Sequence, residues 1–175
     1  MLKQLTIAAL AAASTVAPAA AQFEHNGNVF YEASDFSGAH AAIVEQLWEV
    51  GIPVVDGRNT DLCANDRVLG WYTGEGNFMV ICHGDYDLRA ETLTHEAVHA
   101  VQDCRAGLDN SKLQDPSKGD VQWWAEQMPR KASLIVNNYP ERAWFIEAEA
   151  FFYETRPAAV SDDLYRSCGA TQWKF

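Results

Sequence analysis

The sequence predicts an α+β domain, and two observations carry that reading. Short extended runs bounded by Gly and Pro, with a single helix among them, occupy residues 28–82, whereas from residue 89 the apolar residues recur at helical spacing. The 175 residues are 48% hydrophobic and 21% charged, too apolar for a disordered chain and long enough to bury one sizeable core. One compact domain is therefore expected. With 13 Lys and Arg against 24 Asp and Glu, the net charge of −11 excludes an extended basic surface for nucleic acid or anionic lipid.

The elements follow in order. Residues 1–21 read as a secretory signal: Lys3 in the first stretch, the apolar and small run Leu5–Val16, then Pro18-Ala19-Ala20-Ala21 with cleavage after Ala21. That apolar run is too short to span a bilayer, so no stable membrane insertion is expected. The protein is read as exported, periplasmic or secreted, with residues 22–175 as a single domain. Asn28–Ala33 is a short strand, Ala39–Val50 a helix stopped by Gly51 and Pro53, and Ile52–Val55 a second strand. Arg67–Thr73 and Asn77–Cys82 are two further strands, joined by the turn Gly74-Glu75-Gly76.

Arg89–Cys104 places Leu93, Ala97, Ala100, Val101 and Cys104 on one helical face, with Gly107 to end it. Val121–Asn137 is a second helix interrupted or bent at Met128-Pro129, and Pro140 opens a third, Glu141–Thr155, which stops before Pro157. The tail beyond is expected to be irregular and held by Cys168. No internal repeat and no Asn-X-Ser/Thr sequon occurs.

Export decides how the cysteines are read. Cys63, Cys82, Cys104 and Cys168 are an even set in an oxidising compartment, and none pairs at the short spacing of a thiolate zinc site, so two disulfides are expected. Three connectivities exist; Cys63–Cys82, closing a short loop, and Cys104–Cys168, tying the tail to the central helix, are favoured.

The chemistry sits in His95-Glu96-Ala97-Val98-His99, an H-E-x-x-H motif within the Arg89–Cys104 helix. Histidines at i and i+4 project from one side, a turn apart, so that two imidazole nitrogens can meet one tetrahedral Zn²⁺ ion. Glu96 then stands beside the metal, placed to accept a proton from the attacking water and pass it to the leaving group. With five histidines in the chain, chance alone would produce the pattern about one time in a hundred. A catalytic site needs a third protein ligand and an open position. Position 102 is Gln and position 105 is Arg, so the metzincin continuation is absent and the ligand must come from elsewhere.

Glu147-Ala148-Glu149-Ala150 lies in the downstream helix, about fifty residues past the motif. HEAVH followed at that distance by E-x-E-A resembles the small single-domain zincin metallopeptidases of the gluzincin kind, whose third ligand is a downstream glutamate, often in E-x-x-A-[DN]. The resemblance covers Glu91 to Tyr153. It implies a small, twisted, mostly antiparallel sheet packed on the active-site helix and followed by a helical half. It also implies Glu147 as the zinc ligand, with Glu149 as the alternative, and Ala150 as the small residue that lets the two helices approach. Phe151 departs from the pattern, standing where an acid or amide is usual. An extended strand lining the cleft pairs with peptide substrate in such enzymes, and Asn77–Cys82 is in the right order for that.

Tyr139 and Tyr153 are candidates for a hydrogen-bond donor to the developing oxyanion. Gln102, on roughly the metal side of its helix, is a candidate to orient a ligand. Of the remaining imidazoles, His25, His40 and His83, only His83 has a path to the cleft. The leading reading is a zinc metalloendopeptidase acting on peptides or proteins, with specificity from the hairpin, the loop Asp109–Gly119 and the acidic surface, which favours basic peptides. The alternatives are a non-catalytic module of the same fold with a structural zinc, and an amidase acting on cell-wall peptide.

Overall fold

The computed structural model describes residues 29–58, 60–64, 68–107, 116 and 118–169. The signal segment 1–21, His25 and most of the loop 109–119 lie outside them. The chain is α+β. Among the described residues it holds strands β1 (Val29–Phe30), β2 (Val54–Asp56), β3 (Gly70–Thr73) and β4 (Phe78–Ile81). The helices are α1 (Gly38–Glu49), α2 (Tyr86–Arg105), α3 (Lys118–Gln127), α4 (Pro129–Asn138), α5 (Trp144–Tyr153) and α6 (Pro157–Ser167).

The sheet runs β1-β2-β4-β3, with β1–β2 and β4–β3 antiparallel and β2–β4 parallel. It is thus mixed rather than simply antiparallel, because β2 reaches β4 by a crossover through β3 instead of a hairpin. β3 and β4 form the expected hairpin, with Tyr72 opposite Met79. The strand order also overturns one expectation. β4, within Asn77–Cys82, is flanked by strands on both sides and has no free edge to offer a substrate; the edge belongs to β3.

Val54, Met79 and Ile81 are fully buried and join the main core with residues of α1 and α2. Val80 points the other way, against the segment that starts at Gly57 and carries Cys63; a Cβ on Gly57 would stand 2.5 Å from Val80 Cγ1. The side chains alternate across the pleat as strand geometry requires. Cys63–Cys82 clips this segment to the end of β4.

α2 is the axis of the fold. Asp85 caps its start by accepting from the Leu88 N–H at 3.1 Å, and Gly107, at φ +78°, turns the chain left-handed just past its end. Every residue from Glu96 to Cys104 is buried, which an α-helix achieves only when enclosed on all sides. The sheet provides one side, with Gly70 letting the helix lie close on β3: a Cβ there would sit 2.5 Å from Thr92 Cγ2 and 2.7 Å from the Val80 carbonyl oxygen. α1, α5 and α6 provide the rest. Ala150 is fully buried in the same core as Ala97 and Ala100, so small residues stand on both helices where α5 meets α2.

The helical half bears out one part of the sequence reading and corrects two. The interruption at Met128-Pro129 is a full break into two helices, because Pro129 cannot continue α3 and instead occupies the first turn of α4. Pro140 leads a 3-10 turn, Glu141–Ala143, and the α-helix proper starts at Trp144. The tail is not irregular. Pro157 opens α6, whose Val160 and Leu164, four apart, bury against α1 and α2 in line with Cys168. A proline that stops one helix can start the next.

Cys104–Cys168 joins the last turn of α2 to the end of α6 across a sequence separation of 64. Both favoured pairings are therefore formed, and loop-closure entropy assigns this one about 4 kcal/mol of stability. The Cys104→Ala, Cys168→Ala double variant is expected to lose about that much unfolding free energy in urea titrations, seen as a lower midpoint, with a slope at least as steep because the uncrosslinked unfolded chain exposes more surface. A midpoint within experimental error of wild type would show that α6 docks without the bridge. No helix among the described residues is long and apolar enough to cross a membrane, and two disulfides indicate an oxidising environment.

Candidate metal centre

α2 presents His95 and His99 one turn apart on the side covered by α5, and α5 turns Glu147 toward both. His95 Nε2 lies 3.4 Å from Glu147 Oε2, and His99 Nε2 lies 3.7 Å from Glu147 Oε1. One ligand atom from each of the three residues falls within 4.8 Å of the others, so this group could hold a metal ion.

Two further observations fit a cation. Glu147 Oε2 is buried without a hydrogen-bond partner, a cost of about 1–3 kcal/mol or more for a charged group that a bound ion would remove. The surroundings are also anionic. Burial alone would lower the pKa of His95, yet contact with Glu147 and Glu154 and the field of Glu96 push it up to about 10. Burial would raise Glu147, but His95, His99 and the Tyr139 hydroxyl outweigh it and hold the carboxyl below its ordinary range. The pocket favours positive charge at its centre.

Glu96 is buried beside the cluster, outside the group that could hold the ion. Burial pushes its carboxyl above the ordinary carboxylate range, and Glu147 adds to the effect; the two histidines and the Tyr72 backbone N–H, which donates to it, work against it.

Glu149 goes elsewhere. Its Oε1 accepts from Arg105 Nη1 at 2.7 Å and its Oε2 from Gln102 Nε2 at 2.9 Å, while Arg105 reaches on to Asp163 of α6 at 3.2 Å. These contacts place a hydrogen on His99 Nδ1. Gln102 Nε2 faces Glu149 Oε2 and the Ile146 carbonyl, at 3.0 Å, and both are acceptors, so Gln102 Oε1 is the end that accepts from His99 Nδ1–H at 2.8 Å. With hydrogen on Nδ1, Nε2 is left free to ligate. Gln102 does orient a histidine, as its place on the helix suggested.

Of the two tyrosines, the site holds one. The Tyr139 hydroxyl donates to Glu147, and burial, together with the charges of Glu147 and Glu96, pushes its pKa well up, which keeps it an O–H donor. Tyr153 packs between the two cores against Trp124 and Phe152, and its surroundings are Asp163, Glu149, Arg105 and Arg156, the Glu149 side of α5. It is not placed to act at the cluster. His83 follows β4 and His40 lies on α1; neither joins the group.

Two residues at the site escaped the sequence reading. Glu154 Oε2 lies 3.5 Å from His95 Nδ1, and Lys131 Nζ of α4 lies 2.6 Å from Glu154 Oε1. One signal was available: Glu154 is seven positions after Glu147, two helical turns along the same side of α5. Nothing in the sequence brings Lys131 to it.

The fold and the cluster define an α+β domain built around a His–His–Glu group on two packed helices. Compared with family models, with curated proteins and with solved structures, the chain matches none.

Proposed function

We propose that the protein is an exported zinc-dependent metallopeptidase of the zincin kind, hydrolysing peptide bonds with Glu96 as general base. The observation that carries it is the convergence of His95 Nε2, His99 Nε2 and the Glu147 carboxylate beside a buried glutamate that is not among them. Two imidazoles and one carboxylate are a donor set of catalytic zinc, and one donor atom from each lies within 4.8 Å of the others, near enough for small side-chain adjustments to bring them to the about 3.4 Å that separates tetrahedral ligands at 2.0–2.1 Å. The placing of the His95–His99 helix between a small sheet and a helix carrying Glu147, the third member of the group, supports this reading.

Zinc, when bound, supplies Lewis acidity that polarises the scissile carbonyl and lowers the pKa of water. The chain's own residues do the rest. Glu96, raised in pKa by burial, takes a proton from the attacking water and returns it to the leaving amine. Tyr139, its hydroxyl released from Glu147 when that carboxylate holds the ion, donates a hydrogen bond to the carbonyl oxygen as negative charge develops there. The free edge of β3 receives the substrate backbone as an added strand, the role first assigned to Asn77–Cys82. A purely structural zinc has no use for Glu96, and this favours an enzyme over a binding module.

The zinc-loaded protein is expected to cleave members of a mixed peptide library, to stop when a chelator strips the metal and to resume on reloading with zinc. A peptidoglycan cross-link in the same library tests the cell-wall alternative. Absence of cleavage by protein carrying one zinc per chain would overturn the hydrolase reading. On a cleaved peptide, Tyr139→Phe is expected to lower kcat about 10²-fold with KM nearly unchanged. Steady-state kinetics check this; an effect confined to KM would remove Tyr139 from the oxyanion.

A further inference from the structure

A ligating histidine is aimed by the partner of its other nitrogen. His99 has Gln102, backed by Glu149 and Arg105. His95 has no amide behind it, and Phe151, where an acid or amide would stand in the related motif, sets its ring against the His95 imidazole with centroids 4.7 Å apart and planes at 72°. A phenyl ring accepts no conventional hydrogen bond from Nδ1.

Glu154 lies on the Nδ1 side. It is 5% exposed and caps the C-terminal end of α5, a place where burial strips a carboxylate of water and the helix dipole repels it. An anion there costs folding stability unless something uses it. Lys131 occupies Oε1 at 2.6 Å, and this leaves Oε2 directed at His95. The same ammonium lies 4.8 Å from the centre of the Phe151 ring and 3.7 Å from Glu91, so α4 delivers it to a position that three side chains define. Glu147 and Glu154, two turns apart on α5, bracket the imidazole, one on each nitrogen.

We propose that Glu154 is the positioning residue of His95, accepting from Nδ1–H and so presenting Nε2 to the metal, and that Lys131 holds Glu154 in place for this. The role takes up the place that Phe151 leaves empty. It presupposes the metal centre proposed above, though not that the centre is hydrolytic. It also ties the helix pair α3–α4 to the site, since Lys131 comes from α4, which packs against α5.

The test uses the full chain and zinc alone. Zinc dissociation constants are measured by competition with a chromophoric chelator for wild type, Glu154→Leu, Glu154→Gln and Lys131→Met, alongside thermal midpoints and the His95 Nδ1 proton in NMR spectra of the zinc-loaded proteins. Glu154→Leu is expected to bind zinc about 10–100-fold more weakly and to lose the protected Nδ1 proton. Glu154→Gln keeps a carbonyl acceptor, retains the proton signal and loses less. Lys131→Met, at a half-exposed position, weakens binding several-fold with the signal broadened. If Glu154→Leu fails to fold, Glu154→Gln and Lys131→Met carry the comparison. Wild-type affinity and an unchanged Nδ1 proton across the folded variants, whatever their midpoints, would overturn the assignment and leave the peptidase reading standing. A wild-type protein that binds zinc and shows these losses but cleaves no peptide would support it while sinking the hydrolase reading.

Discussion

Glu96→Gln is expected to keep one zinc per chain and to lower kcat/KM for peptide hydrolysis about 10²–10⁴-fold, the range of a lost general base. Glutamine keeps the shape of the side chain and an oxygen to accept from the Tyr72 N–H, so the close packing of α2 on β3 through Gly70 is undisturbed. What disappears is basicity. Burial lifts the Glu96 carboxyl above its ordinary range, which brings it nearer the pKa of a group that must accept and then release a proton around neutrality. Kinetics with metal analysis on the same samples separate the effects: loss of rate with metal retained identifies the base, whereas cleavage within about tenfold of wild type would assign the proton transfer to another group.

The second large effect falls on Glu147. Glu147→Ala is expected to bind no stoichiometric zinc, while Glu149→Gln stays stoichiometric. Glu147 is the carboxylate that faces Nε2 of both histidines, whereas Glu149 is committed to Arg105 and Gln102. The two variants should part in stability as well. Zinc at a thousand times its dissociation constant stabilises a native protein by about 4 kcal/mol, so wild type and Glu149→Gln rise in thermal midpoint when zinc is added and Glu147→Ala does not. Without zinc both variants lose native contacts: Glu149→Gln weakens a buried ion pair and part of the tether to α6, and Glu147→Ala removes the carboxylate that faces both histidines, so the response to added zinc is what separates them. Full zinc occupancy in Glu147→Ala would move the third ligand elsewhere.

What could be read from the sequence depended on whether the information was local. The histidines were legible because i and i+4 on a helix share a side whatever surrounds it, and Glu147 became legible through the spacing of a related motif. Cys104–Cys168 was legible as the pairing that gives the tail an anchor on α2. The place of β4 inside the sheet was not, since strand order is set by a crossover between β2 and β4 that leaves no mark in either segment. The α6 helix was hidden because Pro157 reads equally as the end of one helix and the first turn of another. Glu154 and Lys131 meet only after α4 and α5 pack, so the partner of His95 Nδ1 was beyond the reach of any pattern within one element.

The central claim is that His95, His99 and Glu147 together hold one zinc ion. X-ray absorption at the zinc edge, on full-length protein loaded with zinc and freed of excess, tests it most directly. The expected result is one zinc per chain with two imidazole nitrogens and carboxylate oxygen at about 2.0–2.2 Å. A substoichiometric metal content, or a first shell with fewer than two imidazoles, would contradict it.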